Sequence, residues 1–166
     1  MRCPDAKPAY AGEWTDLHMA EPFVPIDFTA PTMWSGPGFH LEVLGPVHNV
    51  RDHEAWMSSI DHIRSTPGMG AGAWPAPMTL AENMADMEMH TEEFVERSAF
   101  TYSILDGHEV IGCVYIYPSS DPDHDAQVRS WVTASRAEMD SVVWRALSTW
   151  LRDEWPFRSI CYASRP

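Results

Sequence analysis

The stretch SWVTASRAEMDSVVWRALSTWL, residues 130–151, predicts a β-strand, a tight turn and an amphipathic helix in direct succession. The free N–H groups at a helix N-terminus carry partial positive charge, so this arrangement usually favours a bound phosphate. The turn contains no glycine, whose missing Cβ would let a phosphate approach the amides, and it carries two acids, Glu138 and Asp140. The stretch therefore predicts either a site for an anionic cofactor or a turn that excludes one.

Two helices are predicted to follow a first half-buried strand, FHLEVLGP, at residues 39–46. Asn49 is expected to cap the first helix, which the TPG sequence at residues 66–68 ends. Thr79 and Glu82 have the spacing of a capping box and are expected to begin the second helix. The first half of the chain is therefore predicted to run strand, helix, helix.

Three more strands, a long helix and a short final strand follow at close spacing. Asp106-Gly107 joins the first two of these strands and is a strong signal for a tight hairpin. The next strand is expected at residues 126–133, the helix at about residues 140–155 and the last strand at residues 159–163. This predicts an α/β (α+β) protein with the order β-α-α-β-β-β-α-β, in which an antiparallel meander precedes a parallel return through the long helix.

Residues 1–38 are predicted to form an extended N-terminal arm in front of one domain at residues 39–166. Six of the fourteen prolines lie in this segment, and proline neither donates to a strand ladder nor fits inside a helix. The segment is also too rich in tryptophan and other apolar residues for a disordered tail. Two interpretations stay open: the arm wraps its own domain, or it crosses to a second subunit and builds a homodimer.

The composition argues against several classes of protein. The formal net charge is −13, from 11 basic and 24 acidic residues, and Lys7 is the only lysine, so no basic cluster can neutralise a nucleic acid. Neither a signal peptide nor an apolar run of membrane-spanning length is present. Cys3, Cys113 and Cys161 are far apart and odd in number, which indicates neither a zinc knuckle nor a disulfide framework. A cytoplasmic protein is therefore expected.

The element order and several local stretches resemble the GNAT superfamily of N-acetyltransferases over roughly residues 39–164. The stretches are HNVRDHEAWMSSIDHIRSTPG at residues 48–68, WPAPMTLAENMADMEMH at residues 74–90 and VIGCVYIYP at residues 110–118. The resemblance implies that residues 126–133 and 159–163 diverge around a V-shaped cleft for acetyl-CoA. The pantetheine arm would pair with the main chain at the end of the first segment, and the following turn would hold the pyrophosphate. The cofactor-binding residues that it implies are Trp131, Val132, Thr133, Arg136 and Ser141.

Two departures from the superfamily's pattern make the chain a degenerate, C-terminally short member. Glu138 stands where Gln or Arg is preferred, and Met139 takes a position of glycine. Asp140 or Ser141 is expected to cap the helix and occupy the N–H groups that a pyrophosphate needs, while Arg136 would compensate in part. The superfamily usually continues past the last strand into another helix and two more strands, whereas this chain stops soon after that strand.

Acyl transfer to an amine requires handling of the amine proton and polarisation of the thioester carbonyl, which a main-chain N–H of the adjoining strand would supply. Tyr117 is the candidate catalytic residue because it ends its strand, where the mouth of the cleft is expected. His40 and Glu42 on the first strand are further candidates. Tyr115 shares a face with Tyr117, and simple aromatic packing on the sheet is the alternative for both tyrosines.

The sequence thus predicts an acetyl-CoA-dependent N-acyltransferase that acts on an amine of a small molecule or peptide. No metal is predicted, because the eight histidines lack metal-binding spacings and DPDHDAQ, at residues 121–127, lacks the pattern of a calcium loop. The alternative is a non-catalytic GNAT-like binding or dimeric structural protein whose cofactor turn is blocked by Glu138, Met139 and Asp140. The acceptor, the acyl group and the physiological role are not determined by the sequence.

Overall fold

A computed structural model of the chain describes residues 22–70 and 72–166. The strands are β1 (Met33–Gly36), β2 (Phe39–Val43), β3 (Phe100–Asp106), β4 (Glu109–Pro118), β5 (Ala126–Val132) and β6 (Ile160–Tyr162). The helices are α1 (Asn49–Met57), α2 (Ile60–Ser65), α3 (Leu80–Glu96) and α4 (Asp140–Glu154), and the 3₁₀ segments Pro46–His48 and Ala134–Met139 precede α1 and α4. The strands lie in one sheet in chain order, all neighbours antiparallel except the parallel pair β5 and β6. The predicted mixed sheet with its parallel return is confirmed.

The structure departs from the predicted element order in two places. β1 lies within the segment assigned to the arm and pairs with β2 through a turn at Gly38, whose φ is +79°. The first predicted helix is divided into α1 and α2, because Ser59 leaves helical geometry at φ −130°. Next to this break the Ser58 hydroxyl donates to the carbonyl of Ala55 at 2.8 Å, a local bond by which serine competes with the helical pattern.

Each face of the sheet carries its own apolar core. One face packs against α4, whose predicted stripe is confirmed by four buried side chains: Val143, Leu147, Trp150 and Leu151. The other face packs against α1, α2 and α3 through a second cluster that includes Trp56, Ile63 and Met87. Burial of each large apolar side chain contributes about 1.5–3 kcal/mol, so these two clusters fix the helices on the sheet.

The described part of the arm, residues 22–38, packs on its own domain. Val24 is buried in the α4-side core, and the Phe23 ring stacks on Phe157 with centroids 5.3 Å apart. The guanidinium of Arg97, just after α3, donates to the carbonyl of Phe28 at 2.8 Å and to that of Pro25. For these residues the structure supports the interpretation in which the arm wraps its own domain; residues 1–21 lie outside the described part.

The helix-start predictions have mixed outcomes. The capping box is confirmed: the Thr79 hydroxyl accepts from the Glu82 N–H at 3.2 Å, and the Glu82 carboxylate accepts from the Thr79 N–H at 2.7 Å. The prediction that Asn49 caps α1 is wrong, because Asn49 is already the first helical residue. Its side chain instead donates to the carbonyl of Leu80 at 3.2 Å and so joins α1 to the start of α3.

A buried polar network continues this junction between α1 and α3. The Asn83 amide donates to the Asn49 side-chain oxygen at 2.8 Å and to Asp52 at 3.3 Å, and it accepts from the Trp56 indole at 2.9 Å. Burial of the Asp52 carboxyl raises its pKa to about 6. A carboxyl with a raised pKa is stabilised in its neutral form, so its ionisation disfavours the folded state.

β4 and β5 approach each other closely at Gly112. A Cβ on this residue would lie 2.1 Å from the carbonyl oxygen of Trp131, much closer than any normal contact. Gly112 pairs with Val132 at the end of β5, and the next residue, Thr133, donates its N–H to Ile111 at 2.8 Å. The missing side chain therefore holds the end of β5 tightly against β4.

Two further features of the fold concern its helices and its cysteines. None of the helices among residues 22–70 and 72–166 combines the length and apolarity needed to cross a membrane. Cys113 is a free, buried thiol, whereas Cys161 on β6 is disulfide-bonded. The sequence predicted no disulfide framework and therefore did not predict this bond.

We expect Gly112→Ala to lower the free energy of unfolding by about 3 kcal/mol, because the new methyl group forces β4 and β5 apart. Chemical denaturation of the purified variant measures this. Gly72→Ala is the matched control, since its Cβ would be 3.9 Å from the nearest atom beyond the adjoining residues, the Trp74 nitrogen. Equal stability of the two variants would contradict the tight contact between the strands.

Asp52→Asn is expected to stabilise the protein above pH 6 by up to about 3 kcal/mol. Because the folded-state pKa of Asp52 is raised, stability present at low pH is lost as the pH rises from about 4 through about 6, and the amide removes this loss. Unfolding curves from pH 3.5 to 8 measure the difference, with the exposed Asp61→Asn as control. A pH-independent difference between wild type and Asp52→Asn would refute the assignment.

Candidate functional site

The candidate site is the cleft that opens where β6 ends beside β5. The two strands pair in parallel at Ala126 with Ile160, Gln127 with Cys161 and Val128 with Tyr162. β6 then stops, whereas β5 continues to Val132 and leads through the 3₁₀ segment into α4. The predicted parallel pair is therefore present, and among residues 22–70 and 72–166 no strand lies on the β6 side of the end of β5.

The guanidinium of Arg165 occupies this cleft. It donates to the Ser130 carbonyl at 2.9 Å and to the Ser130 hydroxyl at 3.2 Å, two residues beyond the last strand pair. Its Nε donates to the Asp140 carboxylate at 2.6 Å, and its remaining N–H groups donate to the carbonyls of Pro67 at 3.0 Å and Ala163 at 2.9 Å. The Ser130 carbonyl, which has no neighbouring strand to pair with among the described residues, is thus bound by the Arg165 side chain.

Tyr162 forms the β6 wall of the same cleft. Its hydroxyl is hydrogen-bonded to the Ser130 hydroxyl at 2.5 Å, and its ring lies 5.7 Å from the guanidinium carbon of Arg165. Burial raises the pKa of Tyr162 to about 12, so the phenol is neutral at physiological pH. The face of a neutral aromatic ring carries partial negative charge and therefore attracts the adjacent guanidinium.

The turn between β5 and α4 uses several of its own N–H groups. The Ala134 N–H donates to the Ser59 hydroxyl at 3.0 Å, and the Arg136 N–H donates to the Thr133 carbonyl at 3.0 Å. The expectation that Asp140 or Ser141 caps α4 is wrong, because no side chain caps this helix. The Asp140 carboxylate binds Arg165 instead, and its other oxygen is buried without a hydrogen-bond partner in the described part of the chain.

The five predicted cofactor-binding residues line the turn unequally. The side chains of Trp131 and Val132 are fully buried on opposite faces of the sheet, which leaves only their main chain for the cleft. The Thr133 hydroxyl is hydrogen-bonded to a neighbouring serine at 3.1 Å, and Ser141 is half-buried in the first turn of α4. Arg136 is turned towards the β3–β4 hairpin, where it pairs with the carboxylates of Asp106 at 3.2 Å and Glu109.

Tyr117 lies away from the open end of the cleft. It pairs with Gln127, which itself pairs with Cys161, so it stands level with the region where β5 and β6 are joined. Its ring stacks on Tyr115 with centroids 6.2 Å apart and 8° between the planes, and burial raises its pKa. The expected position at the cleft mouth is wrong, while a catalytic role for Tyr117 stays a prediction.

His40 and Glu42 belong to a separate polar cluster on β2. The Glu42 carboxylate accepts from His48 at 3.1 Å and from His40 at 3.3 Å, and the His48 hydrogen bond is the main cause of its lowered pKa. The other His48 nitrogen accepts from the Gly45 N–H at 3.3 Å, which places the ring proton on the nitrogen that faces Glu42. β3 and β4 lie between β2 and β5, so this cluster does not line the cleft.

Sequence reasoning missed the residues that define the cleft. Arg165 is one of 11 basic residues and carries no motif, and Ser130 and Tyr162 fit ordinary strand patterns. The available signal was Asp140 at the start of α4. Its position predicted a helix cap and did not indicate a partner for a distant cation. In residues 22–70 and 72–166, no three His, Cys, Asp or Glu side chains are grouped as they would be around a metal ion.

Solved acetyltransferase structures share this fold. Ribosomal-protein-S5-alanine acetyltransferase from Vibrio fischeri aligns with a TM-score of 0.53 and 14% identity over 74% of this chain and 68% of that one. The microcin C7 self-immunity acetyltransferase MccE, in complex with acetyl-CoA and AMP, gives 0.55 and 15% over 70% of this chain and 62% of that one. RimL, the ribosomal L7/L12 alpha-N-protein acetyltransferase in complex with coenzyme A, gives 0.53 and 14% over 74% and 67%.

These likenesses show that the chain has a GNAT N-acetyltransferase-like fold, as the resemblance implied. The chain spans about two thirds of the length of each of these acetyltransferases. No protein-family model and no curated protein matches the sequence. Structural similarity therefore establishes the fold of the chain.

Proposed function

We propose that this chain is an acyl-CoA-dependent N-acyltransferase that uses acetyl-CoA and acts on an amine of a small molecule or peptide. The observation that supports it most is the geometry of β5, which outruns β6 and leads directly into a helical N-terminus. The main chain at the end of β5, which no strand among the described residues covers on the β6 side, and the start of the following helix then border one cleft. This combination suits a ligand with an amide-bearing arm and a phosphate.

In the proposed reaction the acyl group passes directly from the sulfur of CoA to the nitrogen of the amine. The lone pair of the neutral amine attacks the thioester carbonyl carbon and forms the carbon–nitrogen bond. The carbon–sulfur bond breaks, the nitrogen loses a proton, and the CoA thiolate takes one up. A main-chain N–H at the end of β5, near Val132 and Thr133, would polarise the carbonyl. Tyr117 stays the proposed proton carrier, and its raised pKa keeps it protonated at neutral pH. It lies on β4 five residues from Gly112, the partner of Val132, so the acceptor amine would have to extend along β4 to reach it.

Acetyl-CoA itself would be held by the main chain of Trp131, Val132 and Thr133 and by the turn that follows. Ser141 would contribute its hydroxyl at the start of α4. Arg136 would have to leave the carboxylates of Asp106 and Glu109 in order to reach a pyrophosphate. Two of the structural neighbours carry this cofactor by name, acetyl-CoA in MccE and coenzyme A in RimL.

The charge of the chain supports a cationic acceptor. The net charge is −13, and α3 alone contributes six acids: Glu82, Asp86, Glu88, Glu92, Glu93 and Glu96. Such a field raises the local concentration of ammonium groups. Two of the structural neighbours are named for protein acceptors, an alanine of ribosomal protein S5 and the α-nitrogen of L7/L12. These names support a peptide or a small amine as the acceptor of this chain.

We further propose a homodimer and a cytoplasmic location, although the disulfide of Cys161 argues against a reducing compartment. Light scattering on the purified chain tests the dimer, and cell fractionation tests the location. Neither proposal is needed for the transfer reaction described above.

A second candidate function is that of a non-catalytic binding or dimeric structural protein with this fold. It is favoured by the occupied cleft, since Arg165 binds the Ser130 carbonyl that a pantetheine arm would use. Glu138 is exposed in the turn and adds a repulsion of about 1 kcal/mol towards a phosphate that binds beside it. The two candidates differ in one measurable property, which is the binding of CoA.

We expect acetyl-CoA to raise the melting temperature of the full chain by about 5–10 °C at a hundred times its dissociation constant. The binding free energy adds directly to the free energy of unfolding, because the unfolded chain has no cleft. Release of free thiol with simple amines and short peptides then measures transfer. Absence of any shift at millimolar acetyl-CoA would support the non-catalytic alternative.

Glu138→Arg is expected to tighten acetyl-CoA binding by about tenfold, because it replaces repulsion of the pyrophosphate by attraction. Isothermal titration calorimetry measures the dissociation constant. Glu88→Arg on α3 makes the same change in net charge away from the turn and serves as control. Equal tightening by both substitutions would mean that only net charge matters and that the turn does not hold the pyrophosphate.

A further inference from the structure

The cleft contains a fully formed environment for a guanidinium group. Arg165 has five N–H hydrogens, and each is matched by an acceptor: Asp140, the Pro67 carbonyl, the Ala163 carbonyl, and the carbonyl and hydroxyl of Ser130. The side chain is 1% exposed, whereas its carboxylate partner is 18% exposed. The guanidinium has therefore exchanged water for protein on every side.

Such complete satisfaction is needed because burial of an unpaired cation is very unfavourable. The acceptors come from four separate parts of the fold: the segment after α2, the end of β5, the start of α4 and the chain after β6. The fork of the guanidinium matches acceptors at fixed angles, and a lysine ammonium could satisfy fewer of them. The arrangement is thus specific for a guanidinium rather than for a positive charge in general.

We propose that the β5–β6 cleft is a guanidinium-binding site, filled by Arg165 of the same chain, and that acyl-CoA binds only by displacing this side chain. The second half rests on the proposed function. Both ligands need the Ser130 carbonyl, so they exclude each other. Arg165 is then an internal competitor that sets how tightly the cofactor binds.

The acceptors of the site also define which added ligand could bind in place of the Arg165 side chain. Removal of the Arg165 side chain leaves the Ser130 and Asp140 acceptors open to a free guanidinium of similar shape. Methylguanidinium has that shape and carries the same charge. Methylammonium carries the charge without the fork and makes a matched control for the geometry.

The experiment compares the full-length wild type with Arg165→Ala and with the control Arg145→Ala, which removes an exposed arginine of α4. Calorimetry is expected to show acetyl-CoA binding at least tenfold tighter to Arg165→Ala than to the wild type and unchanged in Arg145→Ala. Millimolar methylguanidinium is expected to raise the melting temperature of Arg165→Ala and to weaken its acetyl-CoA binding towards the wild-type value. Methylammonium should do neither.

The outcomes separate this proposal from the proposed function. Equal acetyl-CoA affinity of wild type and Arg165→Ala overturns the competition and leaves the transferase intact. Absence of acetyl-CoA binding to both overturns the transferase and the competition together, while the melting temperature with methylguanidinium still decides the guanidinium site. If methylguanidinium and methylammonium act alike, the guanidinium site itself is refuted.

A second variant covers the case in which Arg165→Ala does not fold. Asp140→Asn keeps the arginine and the volume of the cleft but removes the charge that holds Nε at 2.6 Å. It is expected to tighten acetyl-CoA binding in the same direction as Arg165→Ala. A folded Asp140→Asn protein with wild-type affinity would overturn the competition independently.

Discussion

The end of strand pairing at Val128 is the constraint on which the rest of the site depends. A β-strand that loses its neighbour presents main-chain groups that must find other partners when they are buried. In this fold the Ser130 carbonyl finds the Arg165 guanidinium, and the guanidinium in turn requires Asp140. The Arg165 guanidinium thus takes the place of a strand partner for β5. Its hydrogen bonds also hold the start of α4 and the segment after β6 at the cleft.

The same arrangement connects the two candidate functions. In both proposals a cofactor with an amide-bearing arm would compete with a polar side chain of the protein for the same main-chain groups, so the energy that closes the cleft would be subtracted from the binding energy of the cofactor. Glu138 and the occupied amides of the turn act in the same direction, while the acidic surface favours the cationic acceptor rather than the anionic donor. Whether the protein transfers acyl groups therefore depends on a balance within the cleft and not on the fold, which it shares with acetyltransferases.

Features that depend on neighbours in sequence were predicted from the sequence. The capping box of Thr79 and Glu82, the Asp106-Gly107 hairpin and the α4 stripe each involve residues a few positions apart, where local geometry leaves few choices. The errors arose where a distant group offered a better partner. Asn49 was expected to cap its own helix but binds Leu80, 31 residues away, because the junction with α3 buries it.

By itself, the sequence determined most of the order of elements, the amphipathic character of α4 and the absence of a phosphate-accepting glycine turn, because hydrophobic period and backbone preference are local properties of the chain. Only the tertiary structure decided what fills the cleft. Arg165 meets Ser130 across 35 residues and Pro67 across 98, and such contacts arise from the packing of the whole sheet rather than from any pattern along the chain. The position of Tyr117 was decided in the same way, since strand register, which no local motif encodes, set it beside the paired end of β5.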